Sequence, residues 1–364
     1  MTFLNGHCGG KLQKKKRNNM NRMFLPAEWH RQSFIQLTWP HENTDWAYML
    51  DEVEECFINI AREILRFEPL LIVAPDTKTV KGKLENAGVN IKNLYLFECS
   101  TNDTWARDHS FITLVDDNNN ITLTDFLFNG WGMKYIANLD NQINHKLFNS
   151  GILKGNYQKH LDFVLEGGSI ESDGKGILLT TSECLLSPNR NEMKSRKDIE
   201  DYLKSVFNLK KVLWINNGYL AGDDTDSHVD TLARMCPDNT IVYVKCNNKN
   251  DEHYEALKKM EDEIKSFVNL EGNKFRILPL PFPDSIYDED GERLPATYAN
   301  FLIVNNAVLY PTYNQPDKDK EAKNILQDAF PKYEIVGIDC NALIKQHGSL
   351  HCVTMQFPEG VLIR

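Results

Sequence analysis

The chain has 364 residues, of which 41% are hydrophobic and 25% are charged. This composition is typical of a globular protein with a core of its own, and it excludes collagen-like, disordered and disulfide-stapled small proteins. The formal net charge of -10 argues against nucleic acid or an anionic membrane as the main partner and favours encounter with cations.

The first 22 residues (MTFLNGHCGGKLQKKKRNNMNR) are polar and basic. They lack the apolar segment of a signal peptide, and no apolar run in the chain is long enough to span a membrane. We therefore predict a disordered leader over residues 1–22, with Met20 or Met23 as alternative starts. The eight cysteines form no CxxC pair, which predicts reduced thiols in the cytoplasm rather than disulfides or a zinc cluster.

Two kinds of pattern alternate through residues 23–364. Apolar residues at positions 49, 53, 56, 60 and 64 step by three and four and predict one helix with a single buried stripe. Weaker helical patterns cover 197–207, 251–268 and 317–330. Runs of strand length and composition lie at 34–39, 70–74, 93–97, 110–115, 121–128, 176–180, 212–215, 240–244, 275–280, 301–310 and 333–338.

Strands outnumber helices about two to one, and the helices separate groups of two or three strands. That order does not fit the one-to-one alternation of a doubly wound parallel sheet. Such groups recur four or five times, and no Pro- or Gly-rich linker divides them. We therefore predict one mixed α/β domain over residues 23–364, with a closed, repeated arrangement.

Four short segments carry the residue types of catalysis. Each combines carboxylates, His or Cys with a Gly-containing turn near the end of a strand-like run. They are 102–110 (NDTWARDHS), 166–169 (EGGS), 222–230 (GDDTDSHVD) and 347–354 (HGSLHCVT).

Cys352 and His228 are the candidate nucleophile and proton carrier. Cys352 follows a Gly-containing turn and opens a strand-like run, which predicts an exposed, activated thiolate. The alternative is a small buried hydrophobe. His228 lies two residues before Asp230, so in a strand both side chains would share a face, and the carboxylate would raise the pKa of the imidazole. An acidic turn or a calcium loop is the competing interpretation of this segment.

The carboxylates indicate a cationic substrate. A guanidinium is planar and permanently charged, and Asp108 and Asp230 can each bind it through two hydrogen bonds. Glu166 adds a third acid, although the Glu-Gly-Gly segment that contains it could instead form a turn or a β-bulge without a catalytic role. A thiolate adds nothing to a site for a hard cation, and a zinc site would need more His or Cys, so we predict neither metal nor cofactor.

The four segments resemble those of the agmatine deiminase family, within the pentein group of guanidine-modifying enzymes that also includes bacterial peptidylarginine deiminases. The family's Trp-x-Arg-Asp, Glu-Gly-Gly-Ser, Asp-Gly-His-Val-Asp and Gly-Asn-Ile-His-Cys-Ile-Thr are similar to residues 105–108, 166–169, 226–230 and 348–354. Segments 25–29 (LPAEW), 38–40 (TWP), 128–135 (FNGWGMKY) and 297–301 (TYANF) extend the resemblance from residue 24 to residue 358.

The resemblance implies a five-bladed α/β propeller with pseudo-fivefold symmetry and a central site. It implies that Cys352 attacks the guanidinium carbon and that His228 protonates the leaving ammonia and then activates water. Asp108 and Asp230 would hold the guanidinium nitrogens, and Glu166 would orient His228. Trp105 and Asn300 would complete substrate binding.

Three places depart from the family pattern, of which one is 109–111 (HSF), where the family has a small residue followed by Gly-Pro. Ser227 replaces the Gly before the histidine, and Ser349 replaces an Asn. The amine of the substrate would need a second acidic or aromatic patch, for which Trp131 and Glu28 are candidates. We interpret His351 as structural, because in a strand it would face away from its neighbour at position 352.

The leading hypothesis is a cytoplasmic hydrolase that converts agmatine and water to N-carbamoylputrescine and ammonia, in putrescine biosynthesis. Arginine or peptidylarginine deimination is the nearest alternative, although a substrate carboxylate would require an Arg or Lys to face it. Two further alternatives are an amidinotransferase and a non-catalytic guanidinium-binding protein. A homodimer is expected only from its general frequency among soluble proteins.

Overall fold

A computed structural model describes residues 22–192 and 194–362. The predicted leader therefore lies outside the described residues, except for Arg22. Within the described part, no helix is long and apolar enough to cross a bilayer. The strands there are β1 (Gln32–Thr38), β2 (Leu70–Ala74), β3 (Leu94–Glu98), β4 (Ile112–Val115), β5 (Ile121–Leu127), β6 (Asn156–Val164), β7 (Ile170–Ser172), β8 (Ile177–Thr181), β9 (Lys211–Ile215), β10 (Ala233–Cys236), β11 (Thr240–Lys245), β12 (Arg276–Pro281), β13 (Leu302–Val304), β14 (Ala307–Thr312), β15 (Glu334–Asp339) and β16 (Thr354–Pro358).

The helices connect strands and vary widely in length. The four long ones that the sequence predicts are confirmed within a few residues at each end. The helices are α1 (Leu50–Phe67), α2 (Thr77–Asn86), α3 (Ala106–His109), α4 (Gly130–Met133), α5 (Ile143–Asn149), α6 (Ser182–Leu185), α7 (Arg196–Phe207), α8 (Tyr254–Ser266), α9 (Pro316–Ala329) and α10 (Asn341–Ile344).

The described strands form five sheets that repeat one topology. In the sheet β4-β5-β6, the first pair is antiparallel and the second pair is parallel. The sheets β7-β8-β9, β10-β11-β12 and β13-β14-β15 have the same order. In the fifth sheet, β16-β1-β2-β3, the last strand of the chain pairs antiparallel with the first. The recurring strand and helix groups of the sequence are thus five units, and the mixed α/β class is confirmed.

A helix lies between the two parallel strands of every unit, as parallel neighbours require a long crossover. The helix α1 connects β1 to β2 in this way. Its predicted apolar stripe is buried at all five positions and joins the largest hydrophobic cluster of the described residues. The sheets therefore bury their helix-facing sides, which leaves the turns at the strand ends to carry chemistry.

The predicted strand at 301–310 is wrong, because it is two strands. Asn306 adopts a positive φ of 66° between β13 and β14, a conformation that Asn tolerates better than most residues, so the chain reverses there. The helix α2 is absent from the prediction because its sequence is mostly polar. Its one clear signal is Asp76, whose side chain accepts hydrogen bonds from the Lys78 and Thr79 amides as an N-cap.

The candidate functional residues occupy the same place in all five units. A short turn precedes the strand that opens each antiparallel pair, and each turn carries one or two of these residues. The turns are 105–109 before β4, 166–169 before β7, 228–231 before β10, 297–300 before β13 and 350–353 before β16.

Candidate active site

The turn that carries Asp108 packs directly on the turn that follows Glu166. The Gly168 amide donates a hydrogen bond to Asp108 Oδ1 at 2.9 Å. A Cβ atom on Gly168 would lie 2.6 Å from His228 Nδ1, 2.9 Å from Asp108 Oδ1 and 3.1 Å from Asp230 Oδ2. The missing side chain at this position is therefore what allows three turns to converge.

The remaining contacts close these turns into a ring. Asn300 Nδ2 lies 3.5 Å from the Asp230 carbonyl oxygen, and the His351 amide donates to the Asn300 carbonyl at 3.1 Å. The Arg107 amide then donates to the Cys352 carbonyl at 3.1 Å. Segments separated by up to 245 positions in the sequence thus meet at one centre.

A cavity of about 350 Å³ opens at this centre. Trp105, Asp108, His228 and Cys352 line it, which places four of the predicted site residues on one surface. Five further aspartates share the lining: Asp45, Asp103, Asp140, Asp223 and Asp224. Among the described residues of the lining, Lys134 is the only Lys or Arg.

Two indole rings form part of the cavity wall. Trp131 Nε1 donates to Asp108 Oδ2 at 3.0 Å, and Trp105 Nε1 donates to Asp103 Oδ2 at 3.2 Å. The rings meet edge to face with centroids 6.1 Å apart. The cavity therefore has an aromatic section between two carboxylates, and Gly348 gives it room, since a Cβ there would lie 2.1 Å from the Trp105 ring.

Asp108 is a buried carboxyl whose charge is opposed by its surroundings. Burial raises its pKa to about 8, and the nearby carboxylates Asp230 and Glu166 act in the same direction. The hydrogen bonds from Gly168 and Trp131 offset only part of that effect. Asp108 is therefore mostly protonated in the empty site at neutral pH.

Asp230 is fully buried, yet its environment differs. Burial acts to raise its pKa, but the hydrogen bond and charge of His351, together with His228 and Arg234, outweigh burial, and the net pKa is lowered. His351 Nδ1 lies 2.7 Å from Asp230 Oδ2, whereas Asp230 Oδ1 has no hydrogen-bond partner among the described residues. The second oxygen of an ionised carboxylate is thus left open to a donor.

His228 lies between these acids but makes no short bond to either. Its Nδ1 is 3.8 Å from Asp108 Oδ1, and its Nε2 is buried without a partner in the described part of the chain. Burial lowers the pKa of His228 to about 3, so the predicted rise is wrong. The predicted strand is also wrong, since His228 precedes a 3-10 turn, Val229–Thr231.

Glu166 lies behind the histidine rather than in the cavity. Its two oxygens accept from Arg190 Nε at 2.9 and 3.1 Å, and both side chains are fully buried. Burial raises its pKa, with Arg190 acting against that rise. Glu166, Cys184 and a ring nitrogen of His228 lie within 4.8 Å of one another, a spacing that a metal could use. Arg190 already satisfies the carboxylate in this group.

Cys352 is buried, with 6% of its surface exposed, which corrects the prediction of an exposed thiolate. Burial, with the charges of Asp230 and Asp108, raises the thiol pKa well above its ordinary value. Asn300 Oδ1 lies 3.3 Å from the Cys352 amide and 3.4 Å from Sγ. The structure therefore places Asn300 at the nucleophile's backbone, outside the residues that line the cavity.

Of the two candidates for the distal end of the substrate, the structure places one in the cavity. Trp131 lines it. Glu28 does not: it bonds to Arg234 and to His351 in the buried layer behind Asp230. Sequence reasoning also missed the role of His351, because the turn at 350–353 is not a strand and the alternation of side chains does not apply.

Comparison with known proteins agrees with this geometry. The chain matches the Porphyromonas-type peptidyl-arginine deiminase family over residues 24–358, and it belongs to that family. A Porphyromonas gingivalis structure, described as a candidate arginine deiminase, is 50% identical, with a TM-score of 0.87 over 94% of this chain and 99% of that one.

Two other similar proteins are named agmatine deiminase. A C. jejuni agmatine deiminase, solved as a cysteine-to-serine variant with substrate bound, is 39% identical, with a TM-score of 0.86 over 93% of this chain and 97% of that one. The agmatine deiminase of Pseudomonas aeruginosa is 30% identical over 92% of this chain and 95% of its own length. The resemblance stated from the motifs is thus confirmed.

Proposed function

We propose that this protein is an agmatine deiminase, a hydrolase of the amidine C–N bond. The reaction converts agmatine and water to N-carbamoylputrescine and ammonia through a covalent amidino-cysteine on Cys352. One observation carries the proposal: the Cys352 thiol, the His228 imidazole and the Asp108 carboxyl line a single acidic cavity, and Asp230 is buried directly beside them.

Binding starts with the planar cation. Asp230 offers its unpaired Oδ1, and Asp108 becomes an ionised acceptor once a positive charge lies beside it. Burial is the main cause of the raised thiol pKa of Cys352, followed by the nearby carboxylates, and a guanidinium beside the sulfur adds a positive charge that lowers this pKa. The substrate thereby favours the thiolate that attacks it, while the empty site keeps the nucleophile as an inert thiol.

The hydrolysis proceeds in two stages, formation of the amidino-cysteine and its hydrolysis. The Cys352 sulfur forms a bond to the guanidinium carbon, and the proton from the thiol passes to His228. The C–N bond then breaks, and the nitrogen leaves as ammonia with that proton. His228 next accepts a proton from water, whose oxygen bonds to the same carbon. The C–S bond breaks, and the hydroxyl proton passes to the leaving sulfur, which restores the thiol and yields the ureido product, while His228 releases its proton to solvent.

Three residues support these groups from behind. Glu166, held by Arg190, stabilises positive charge that develops on His228. Asn300 fixes the turn that carries Cys352 through the backbone amides at 351 and 352. Trp105 packs along the aliphatic part of the substrate.

The distal end of the cavity favours an amine over a carboxylate. Burial, together with Asp45, raises the pKa of Asp103 to about 7, so an ammonium nearby would be stabilised by a carboxylate that ionises beside it. Lys134 is not free for a substrate carboxylate, because it contacts Asp226 Oδ1 at 2.8 Å and the Asp224 carbonyl. Arginine would leave its carboxylate among acids.

Arginine remains the second candidate on one observation, the 50% identity to the P. gingivalis protein described as a candidate arginine deiminase. Purified protein should be offered agmatine, arginine and a blocked arginine peptide, with ammonia and ureido product measured. We expect agmatine to have the highest kcat/KM, by at least about 100-fold, since a buried unpaired charge is costly. Preference for arginine or the peptide would contradict the assignment.

The mechanism has its own test in Cys352→Ala. Turnover should fall by at least about 1,000-fold because the covalent step is lost, while agmatine should still bind. Mass spectrometry of the parent enzyme, quenched during turnover, should show an adduct of amidino type on Cys352. Unchanged turnover in the variant would exclude this mechanism.

The five like sheets and the closed ring of turns support a propeller of five α/β blades with pseudo-fivefold symmetry, formed by one domain over residues 23–364. The seven described cysteines are free thiols, which favours a reducing compartment such as the cytoplasm. The homodimer, the absence of a nucleic-acid partner and the putrescine pathway stay predictions.

A further inference from the structure

Behind Asp230 lies a buried set of charges that the proposed mechanism does not use. We propose that His351, held between Asp230 and Glu28, is a positioning residue that keeps Asp230 ionised and aimed at the guanidinium before substrate arrives. This inference rests on the proposed function, since it assigns Asp230 to the substrate cation.

The geometry is that of an imidazole clamped at both ends. His351 Nδ1 lies 2.7 Å from Asp230 Oδ2, and His351 Nε2 lies 2.9 Å from Glu28 Oε2. All three side chains are at least nine-tenths buried. Both ring nitrogens can donate to carboxylates only when the imidazole is cationic.

Charge balance favours that cation. Three carboxylates of this layer, Asp230, Glu28 and Glu171, are buried. Two guanidinium groups face them: Arg234 bonds to both glutamates, and Arg107 lies close enough to affect Glu28. A third positive charge, on His351, would balance the three carboxylates of this layer.

The groups that face Asp230 come from three turns and from the strand β10. His351 contacts it directly, and Arg234 lies beyond His351, with its Nη2 3.1 Å from His351 Nε2. On the cavity side are His228, Asp108 and Cys352. Of these groups, His351 alone makes a side-chain hydrogen bond to Asp230 among the described residues, so the charge of Asp230 depends mainly on it.

The variant His351→Asn separates charge from hydrogen bonding. Its amide can still donate to Asp230, but it carries no charge, so the pKa of Asp230 should rise. Burial would then control Asp230 as it controls Asp108, so the acid limb of kcat/KM, which reports ionisation in the free enzyme and which Asp108 alone sets in the parent, should move to higher pH and become steeper. We expect KM at pH 6 to rise about tenfold while KM at pH 9 changes little.

A matched control is His253→Asn. His253 Nδ1 also lies 2.7 Å from a carboxylate oxygen, that of Asp251, and the residue is equally buried, but it has no contact with Asp230. In His253→Asn, the acid limb of the kcat/KM profile should stay at the same pH as in the parent enzyme. The variant Glu28→Gln, which removes one end of the clamp with little change of shape, should shift the limb in the same direction as His351→Asn, by less.

Binding gives a readout that does not need turnover. Calorimetric Kd values for agmatine, measured from pH 5 to 9 in the Cys352→Ala background, should show the same shift on addition of His351→Asn or, if that protein does not fold, Glu28→Gln. A loss of affinity equal at every pH, or no loss, would overturn the inference. Failure of the parent enzyme to turn over agmatine would instead count against the proposed function.

Discussion

Asp108 and Asp230 carry the same side chain and lie close to the same glycine, Gly168, but their surroundings set opposite charge states. Asp108 has only neutral donors near it, and its pKa is raised to about 8. Asp230 is backed by His351 and Arg234, and its pKa is lowered. Asp230 is therefore ionised before a cation arrives, whereas Asp108 ionises as the cation binds.

This difference explains how a site rich in acids folds at all. Burying several ionised carboxylates together would be strongly destabilising, because like charges in a low dielectric repel and lose their hydration. A protonated Asp108 avoids that cost in the empty protein. The substrate supplies the positive charge that makes the ionised form favourable, so binding and activation of the site are one event.

The largest effect on this comparison should come from Gly168, where both carboxylates and His228 approach the backbone. In Gly168→Ala, the new Cβ would meet His228 Nδ1 at 2.6 Å, so the ring and the acids must move. We expect kcat/KM to fall by about 100-fold or more, as displacements near 1 Å commonly do.

Gly82→Ala is the control for that variant. Gly82 lies in α2, and a Cβ added there would have nothing within 4 Å of it. The value of kcat/KM should therefore be unchanged, and the free energy of unfolding should rise by about 0.5–1 kcal/mol. Equal activity in the two variants would mean that the three turns do not meet as described.

A proton-release measurement distinguishes the two carboxylates during binding. If Asp108 is protonated in the empty site and ionised in the complex, agmatine binding to Cys352→Ala at pH 7 should release about one proton. Calorimetry in buffers of different ionisation enthalpy measures this number. Addition of Asp108→Asn should lower the number by about one and leave only the fraction that Asp103 releases, and an equal number with and without that substitution would show that Asp108 is already ionised.

The same assignment predicts the pH dependence of activity. Because ionised Asp108 binds the cation, kcat/KM should rise with pH, by about tenfold per unit well below pH 8, and level off above it. A profile that is flat from pH 6 to 9 would contradict the raised pKa of Asp108.

The smallest effect concerns the turn that delivers Asp230. Ser227 has a positive φ of 59°, a conformation that costs a side chain about 1–2 kcal/mol relative to Gly. Ser227→Gly should therefore raise the free energy of unfolding by up to about 1 kcal/mol in urea titration, with kcat retained. Asn208→Gly, at a helix end where Asn is well tolerated, should gain less.

The sequence indicated much of this site because its residues fall in four compact motifs. Cys352, His228, Asp108 and Trp105 do line one cavity. Strands such as Leu70–Ala74 were predictable because apolar β-branched runs have few alternatives. Short strands such as Ala233–Cys236 were missed because a buried Arg234 breaks the apolar pattern.

The charge states could not be predicted in the same way. Proximity in sequence predicts a raised pKa for His228, but burial controls it and lowers the pKa. The partners of His351 lie at positions 28 and 230, so no local pattern links them. The prediction that Cys352 is exposed was wrong for a similar reason, since turns from distant parts of the sequence, such as those of Arg107 and Asn300, pack on it.

The most direct test compares the free energies of unfolding of Asp108→Asn and Asp230→Asn at pH 9. Removing the Asp108 carboxyl, whose raised pKa makes its ionised form unfavourable above pH 8, should stabilise the protein by about 1 kcal/mol, and this gain should shrink as the pH falls to 6. Removing Asp230 leaves His351 and Arg234 short of a counter-charge and should destabilise it by about 3 kcal/mol. Similar losses in both variants, or the reverse order, would contradict the opposite charge states of the two carboxylates.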